Sequence, residues 1–277
     1  MSDAQQCNEA GRLFDVSNKI VVVSGGGSGI GFGVAKKFGL LKAKVVIVDS
    51  EQRTAELAVE DIKKLGGTAF YICADVSEIH NNEELMSKIA KLHDGIDVLV
   101  NSAAPSRSRH EKPGELFTLE KWDYEMNVLV KAQASLARAA LPYLANRKGS
   151  IVNLSSIAAR LVTHQTCAYH AGKGAVENLT RYLAFQFGPM GVRVNAIAPG
   201  LVDRDSAPSI SDHPERAALI QQLVPLERAA TASDIANVVI FLSSKAGSYI
   251  TGQSVVADGG LSLGEQFGVA RKVANLE

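Results

Sequence analysis

The sequence contains no apolar run of about 18 residues, so nothing in it reads as a transmembrane helix. It has no excess charge of either sign. Its 29 Lys and Arg residues balance 29 Asp and Glu, which leaves no footprint for nucleic acid or for an anionic membrane surface. Cysteine is scarce: Cys7, Cys73 and Cys167 are odd in number and widely spaced. That excludes a disulfide framework and a thiolate metal site, and fits a reducing, cytoplasmic setting. Cys167, close to Tyr169 in sequence, reads as a small buried hydrophobe. Residues 1–18 form a polar N-terminal extension without the apolar core of a signal peptide. Repeats, low-complexity tracts and Pro/Gly linkers are also missing. What remains, 46% hydrophobic and 21% charged over 277 residues, can bury one large core.

Short Val/Ile-rich runs alternate with helix-length segments. The runs predict strands at Ile20–Ser24, Lys44–Val48, Thr68–Ala74, Ile96–Asn101, Gly149–Leu154, Arg193–Ala198 and Ser254–Ala257. Helices are predicted at Ile30–Leu41, Gln52–Leu65, Asn82–Leu92, Leu119–Leu141, Ala168–Phe187 and Ser233–Leu242. Several strands are apolar throughout, as parallel strands covered on both faces are. The expected fold is therefore α/β: a single domain over 19–260 with a doubly wound, seven-stranded parallel sheet of the Rossmann type and helices on both faces. Residues 201–224 break the rhythm with Pro208 and Pro214 and read as a substrate lid with one or two short helices. Residues 261–277 form a C-terminal tail.

Two features carry chemistry. The first strand runs into Ser24-Gly-Gly-Gly-Ser-Gly-Ile-Gly31. A glycine-rich turn entering a helix offers backbone N–H groups and the positive end of a helix dipole to a phosphate. Asp49, ending the second strand, is placed to accept from both ribose hydroxyls and to repel a 2′-phosphate. Ser28 stands where a basic residue would mark a phosphorylated ribose, so the expected cofactor is NAD(H). Arg53 is the one nearby cation that could meet such a phosphate. Asp75 can bind the adenine amino group, and Asn101 can hold the sheet edge beside the cofactor. The second feature is Tyr169 with Lys173 four residues on, one helical turn apart on the same face. A lysine there favours the phenolate by charge and suits the pair to proton transfer.

With these in place the chain resembles the short-chain dehydrogenase/reductases, from about Ser17 to Gly260. The resemblance is carried by the glycine turn, Ala74-Asp75-Val76, Asn101-Ser-Ala-Ala104, Asn127, Ile151-Val-Asn-Leu-Ser-Ser156, Tyr169-x-x-x-Lys173, Pro199-Gly200 and Tyr249-Ile-Thr-Gly-Gln253. It implies a hydride exchanged between NAD(H) and a secondary alcohol or ketone. Tyr169 would be the general acid/base. Lys173 would lower its pKa and bind the nicotinamide ribose. Ser156 would orient the substrate oxygen, and Asn127 would hold a water in the proton path. The family's spacing selects Ser156 over Ser155. The resemblance also implies cofactor contacts from Gly25, Ser28, Gly29, Ile30, Asp49, Asp75, Val76, Asn101, Ala103, Tyr169, Lys173, Pro199, Gly200 and Val202. Ala104 stands where the family usually has glycine, which predicts a displaced loop. Arg204 stands where a threonine often meets the carboxamide.

Substrate selection is expected from the loop after strand four, the stretch from Ser156 to Tyr169, and the lid. Arg107, Arg160, His164 and Arg204 are the candidate substrate residues, for a polar ring or sugar-like compound. His170 follows Tyr169 directly and reads as a helix-surface residue. No metal-ligand set is recognisable. The alternatives are a 3-oxoacyl thioester reductase using NADPH, which Ser28 and Asp49 argue against, and a non-catalytic NAD(H)-sensing protein, which the complete Ser156, Tyr169, Lys173 and Asn127 set argues against. The resemblance implies a homotetramer, with a dimer as the alternative; no nucleic-acid or membrane partner is expected.

Overall fold

A computed structural model of the chain describes residues 11–105, 115–203 and 212–264, together with Gly268. Seven strands form one parallel sheet: β1 (Ile20–Ser24), β2 (Lys44–Asp49), β3 (Thr68–Cys73), β4 (Val98–Asn101), β5 (Ser150–Leu154), β6 (Arg193–Pro199) and β7 (Ser254–Ala257). Their spatial order is β3-β2-β1-β4-β5-β6-β7. β1 pairs with both β2 and β4. The chain therefore winds outward in two directions from this point, and a doubly wound sheet opens a crevice there, beyond the carboxyl ends of its strands.

Alternation along each strand decides which face a side chain joins. Val21 and Val23 of β1, Val45 and Ile47 of β2 and Val98 and Val100 of β4 enter one buried layer. That layer is covered by α1 (Gly29–Leu40), α2 (Gln52–Lys64) and α8 (Ala232–Ser243). Val22, Val46 and Leu99 enter the opposite layer, covered by α3 (Asn82–His93), α5 (Ala132–Arg147) and α6 (Cys167–Phe187). The apolar runs of the inner strands are explained by this double cover. The two edge strands differ from the expectation: Phe70 and Tyr71 of β3 are exposed, and β7 is only half-buried along its length.

The single helix predicted over Leu119–Leu141 is three segments. α4 (Leu119–Met126) passes through a π-helical stretch, Asn127–Lys131, into α5. α5 also runs through Pro142 to Arg147. Leu136, Ala140 and Leu144 continue its buried stripe at four-residue spacing, so packing outweighs the hydrogen bond that proline removes. In the predicted lid, α7 (Pro214–Leu223) begins with proline at its first turn, where a missing N–H costs nothing. Its Ile220 packs with Val224 and Ala229. Residues 204–211 lie outside the described segments, as does most of the tail.

Candidate active site

The predicted site residues gather at the carboxyl ends of the strands. β1 delivers the glycine turn, β2 Asp49, β3 Asp75 and Val76, β4 Asn101 and Ala103, β5 Ser156, and β6 Pro199, Gly200 and Val202.

The turn is built tightly. Gly25 has φ +65°, and a Cβ on it would lie 2.7 Å from the Ala103 Cα. A Cβ on Gly31 would overlap the Gly25 carbonyl oxygen. The turn thus stands against the loop after β4 at a distance only glycine permits. α1 then starts with Ser28 in extended backbone, without a side-chain cap and with no acidic residue in the first turn. Its leading N–H groups and its dipole are suited to a phosphate. Asp49 supports the turn as well as facing it. Its Oδ2 accepts from the Gly27 N–H at 2.9 Å and its Oδ1 from the Glu51 N–H at 3.1 Å. Each carboxylate oxygen has further acceptor capacity for a ribose hydroxyl. Asp75 is exposed, and its Oδ1 accepts from both the N–H and the hydroxyl of Ser77. These residues fit a dinucleotide laid across β1, with the pyrophosphate at α1.

Asn101 turns inward. Its amide donates to Asn153 Oδ1 at 2.9 Å, and Asn153 donates to Thr180 at 2.9 Å. This buried chain ties β4 to β5 and to α6, so Asn101 holds the sheet rather than presenting its side chain to the cleft. The displaced loop expected from Ala104 does not follow from its backbone: Ala104 is exposed and has no positive φ, so a methyl there causes no strain.

The two serines after β5 separate clearly. The Ser155 hydroxyl is buried and donates to the Lys173 carbonyl. Ser156 caps a short 3₁₀ turn, accepting from the Ala158 N–H at 3.2 Å, and its hydroxyl is near enough to the Tyr169 phenol to act on its ionisation. Burial pushes that phenol above its ordinary value, and the Ser156 hydroxyl opposes the rise. The Lys173 ammonium is buried, lies 5.4 Å from the centroid of the Tyr169 ring and donates to the Leu154 carbonyl at 2.6 Å. Desolvation brings its own pKa down to about 8. Asn127 opens the π-helical stretch, a distortion frequent at functional sites. Its side chain donates to the Ser77 carbonyl at 3.1 Å, joining the segment beside the site to the loop after β3.

Of the expected substrate residues, Arg160 is committed elsewhere. Its Nε contacts both carboxylate oxygens of the buried Glu177, at 3.3 and 3.4 Å. Glu177 also accepts from the Ser254 hydroxyl of β7. A charged guanidinium is needed beside a carboxylate buried that deeply, so Arg160 fastens α6 to β7. His164 is exposed on the loop before α6. Arg107 and Arg204 lie outside the described residues. Cys167, expected to be buried, is exposed at the start of α6. His170 is half-buried and bonded at both ring nitrogens, a role its position in the sequence did not reveal. Among the described residues there is no group of three or more His, Cys, Asp or Glu that could hold a metal, and no helix long and apolar enough to cross a membrane.

Comparison with known proteins places this geometry. The family described as Enoyl-(Acyl carrier protein) reductase matches residues 25–262. Dehydrogenase/reductase SDR family member 4 of Bos taurus is 34% identical over 249 residues, 88% of either chain. The 3beta-hydroxysteroid dehydrogenase 1 of Eggerthella lenta is 32% identical over 260 residues, 92% of this chain and 98% of that one. A solved structure from Beutenbergia cavernae, provisionally named an NAD(P) dependent gluconate 5-dehydrogenase and holding NADP at low occupancy, superposes with a TM-score of 0.81. It is 31% identical, covering 91% of this chain and 100% of its own. The chain belongs to the short-chain dehydrogenase/reductase family and is an oxidoreductase that exchanges a hydride between NAD(P) and an alcohol or ketone.

Proposed function

We propose that the chain oxidises a secondary alcohol, or reduces the matching ketone, with Tyr169 as general acid/base and NAD(H) as the preferred cofactor. One observation carries the reading: Ser156, Tyr169 and Lys173 converge at the carboxyl end of β5, beside a glycine turn that fits a dinucleotide phosphate. The nicotinamide supplies the hydride acceptor or donor. Ser156 orients the substrate oxygen. Tyr169 takes the hydroxyl proton in oxidation and returns it in reduction. Lys173, buried and positive at neutral pH, favours the phenolate and holds the nicotinamide ribose. Asn127 holds the water through which the proton reaches solvent. The cofactor lies along Gly25, Ser28, Gly29, Ile30, Asp49, Asp75, Val76, Ala103, Pro199, Gly200 and Val202.

Support for NAD(H) comes from Asp49, held beside the turn by the Gly27 N–H, with Ser28 rather than a cation in the turn. A 2′-phosphate there would meet a carboxylate. The substrate is a polar ring or sugar-like compound, a reading supported by the exposed His164 and Gln165 and by the gluconate relative's name. We assign the protein to the cytoplasm and to a homotetramer. The test is a screen of polyols, sugars, cyclic alcohols, hydroxy acids and hydroxyacyl thioesters with NAD⁺ and NADP⁺. We expect kcat/KM for NAD⁺ to exceed that for NADP⁺ by about tenfold or more. Equal or faster turnover with NADP⁺ would remove the Asp49 argument, and turnover of thioesters alone would favour the reductase alternative.

A further inference from the structure

The loop from Ile157 to Thr166 links Ser156 to the helix carrying Tyr169 and Lys173; Arg160 ties its first half to Glu177, and His170 fastens the bend at Thr163. The Nε2 of His170 accepts from the Thr163 N–H at 2.9 Å. Its Nδ1 lies 2.7 Å from the Thr166 carbonyl. An N–H can donate only to an unprotonated ring nitrogen and a carbonyl can only accept. Together the two contacts select the neutral imidazole with its proton on Nδ1. The Thr163 hydroxyl, 3.2 Å from the same Nε2, also accepts from the Gln165 N–H at 3.3 Å, so the ring organises the bend of the loop.

The far end of the loop is fixed from the protein interior. Thr166 is buried and caps α6, its Oγ1 accepting the Tyr169 N–H at 3.0 Å and donating to the buried Glu125 carboxylate of α4. The Thr166 carbonyl takes the His170 N–H at 3.2 Å in addition to the ring. That carbonyl therefore keeps a partner if the imidazole is removed. Among the described residues the Thr163 N–H has the ring alone as its acceptor. The two bonds of His170 are thus unequal, and the one to Thr163 sets the loop.

We propose that His170 is a positioning residue for the substrate. It clamps Thr163 so that the loop bearing Val162, His164 and Gln165 presents a fixed wall to the compound held by Ser156 and Tyr169. The inference rests on the assignment of Tyr169 and Ser156 to the reaction. Tyr169 is held separately, through the Oγ1 of Thr166. Losing the clamp therefore weakens substrate binding more than chemistry, and the glycine turn is left untouched.

The test compares His170→Ala, His170→Gln and His170→Asn in the full chain. A glutamine amide oxygen reaches the place of Nε2 and can accept from Thr163; asparagine reaches only the place of Nδ1. His170→Ala is expected to raise substrate KM about tenfold with kcat within about threefold and the NADH dissociation constant unchanged. His170→Gln is expected to restore KM and His170→Asn to leave it high. Hydrogen exchange of the peptide containing Thr163 should quicken in the alanine and asparagine proteins and not in the glutamine protein. KM does not depend on how much protein is folded, so a destabilised variant remains informative. An unchanged KM in His170→Ala, or loss of kcat and thermal stability with KM unmoved, would overturn the proposal. Tyr169→Phe run alongside keeps the two readings apart: normal turnover there defeats the proton-transfer assignment, while KM and exchange still judge the clamp.

Discussion

Tyr169→Phe lowers turnover by about 10³-fold while NADH binds with an affinity within about threefold of the parent. General acid/base catalysis contributes roughly 10²–10⁴, and here a single oxygen carries it. The substitution removes that oxygen and keeps the ring, which packs beneath the Lys173 ammonium at 5.4 Å. The backbone is also unaffected, since the Thr166 cap holds the Tyr169 N–H and not the phenol. The expected signature is therefore chemical loss without structural loss: the same melting temperature, the same NADH titration by fluorescence quenching, and almost no product. A phenylalanine protein with more than about a tenth of parental turnover would move the proton transfer to another group.

Gly31→Ala should raise the NADH dissociation constant about a hundredfold, equivalent to about 2.7 kcal/mol. The added methyl would collide with the Gly25 carbonyl oxygen and come within 2.9 Å of its carbon. Backbone cannot yield as the end of a flexible side chain does, so the turn must shift. Gly25 is itself pressed against Ala103, where a Cβ would lie 2.7 Å from the Cα, and cannot retreat. The N–H groups at the start of α1 would then lose their aim at the phosphate. The same collision costs stability, on the order of 1–3 kcal/mol. Titration with NADH checks the first effect and thermal melting the second. A dissociation constant within twofold of the parent would show that the turn does not cradle the cofactor.

The sheet was legible because its inner strands are covered on both faces and write that cover as unbroken apolar runs. β1, an inner strand, has the bounds its sequence predicts, and so does the half-buried edge strand β7. The π-helical stretch after α4 was not legible, since one wider turn changes no residue type and leaves the apolar pattern nearly in phase. The Tyr169–Lys173 pair follows from one helical spacing, whereas the desolvation of its phenol does not. Lys173 and Tyr169 are close in sequence, yet burial, a property of the whole fold, pushes the phenol upward. Arg160 and Glu177 were unreadable as a pair for the same reason: seventeen residues and a loop separate them, and only the packing of α6 beside β7 brings them together. His170 was misread because helix geometry places it off the Tyr169 face but says nothing of a loop folding back onto it.

In the proposed reaction the proton passes through a half-buried tyrosine beside a buried lysine. Oxidation needs the phenolate, and burial makes the phenolate scarce at neutral pH. Raising the pH increases the reactive fraction. Lys173 is positive below its pKa of about 8 and loses its charge above it, which weakens phenolate stabilisation and flattens the rise. The most direct measurement is kcat/KM for alcohol oxidation against pH. It should climb about tenfold per pH unit through neutrality and level off above about pH 8, while ketone reduction stays flat and then falls over the same range. Oxidation that is flat from about pH 6 to 9, or that declines as pH rises, would contradict the claim.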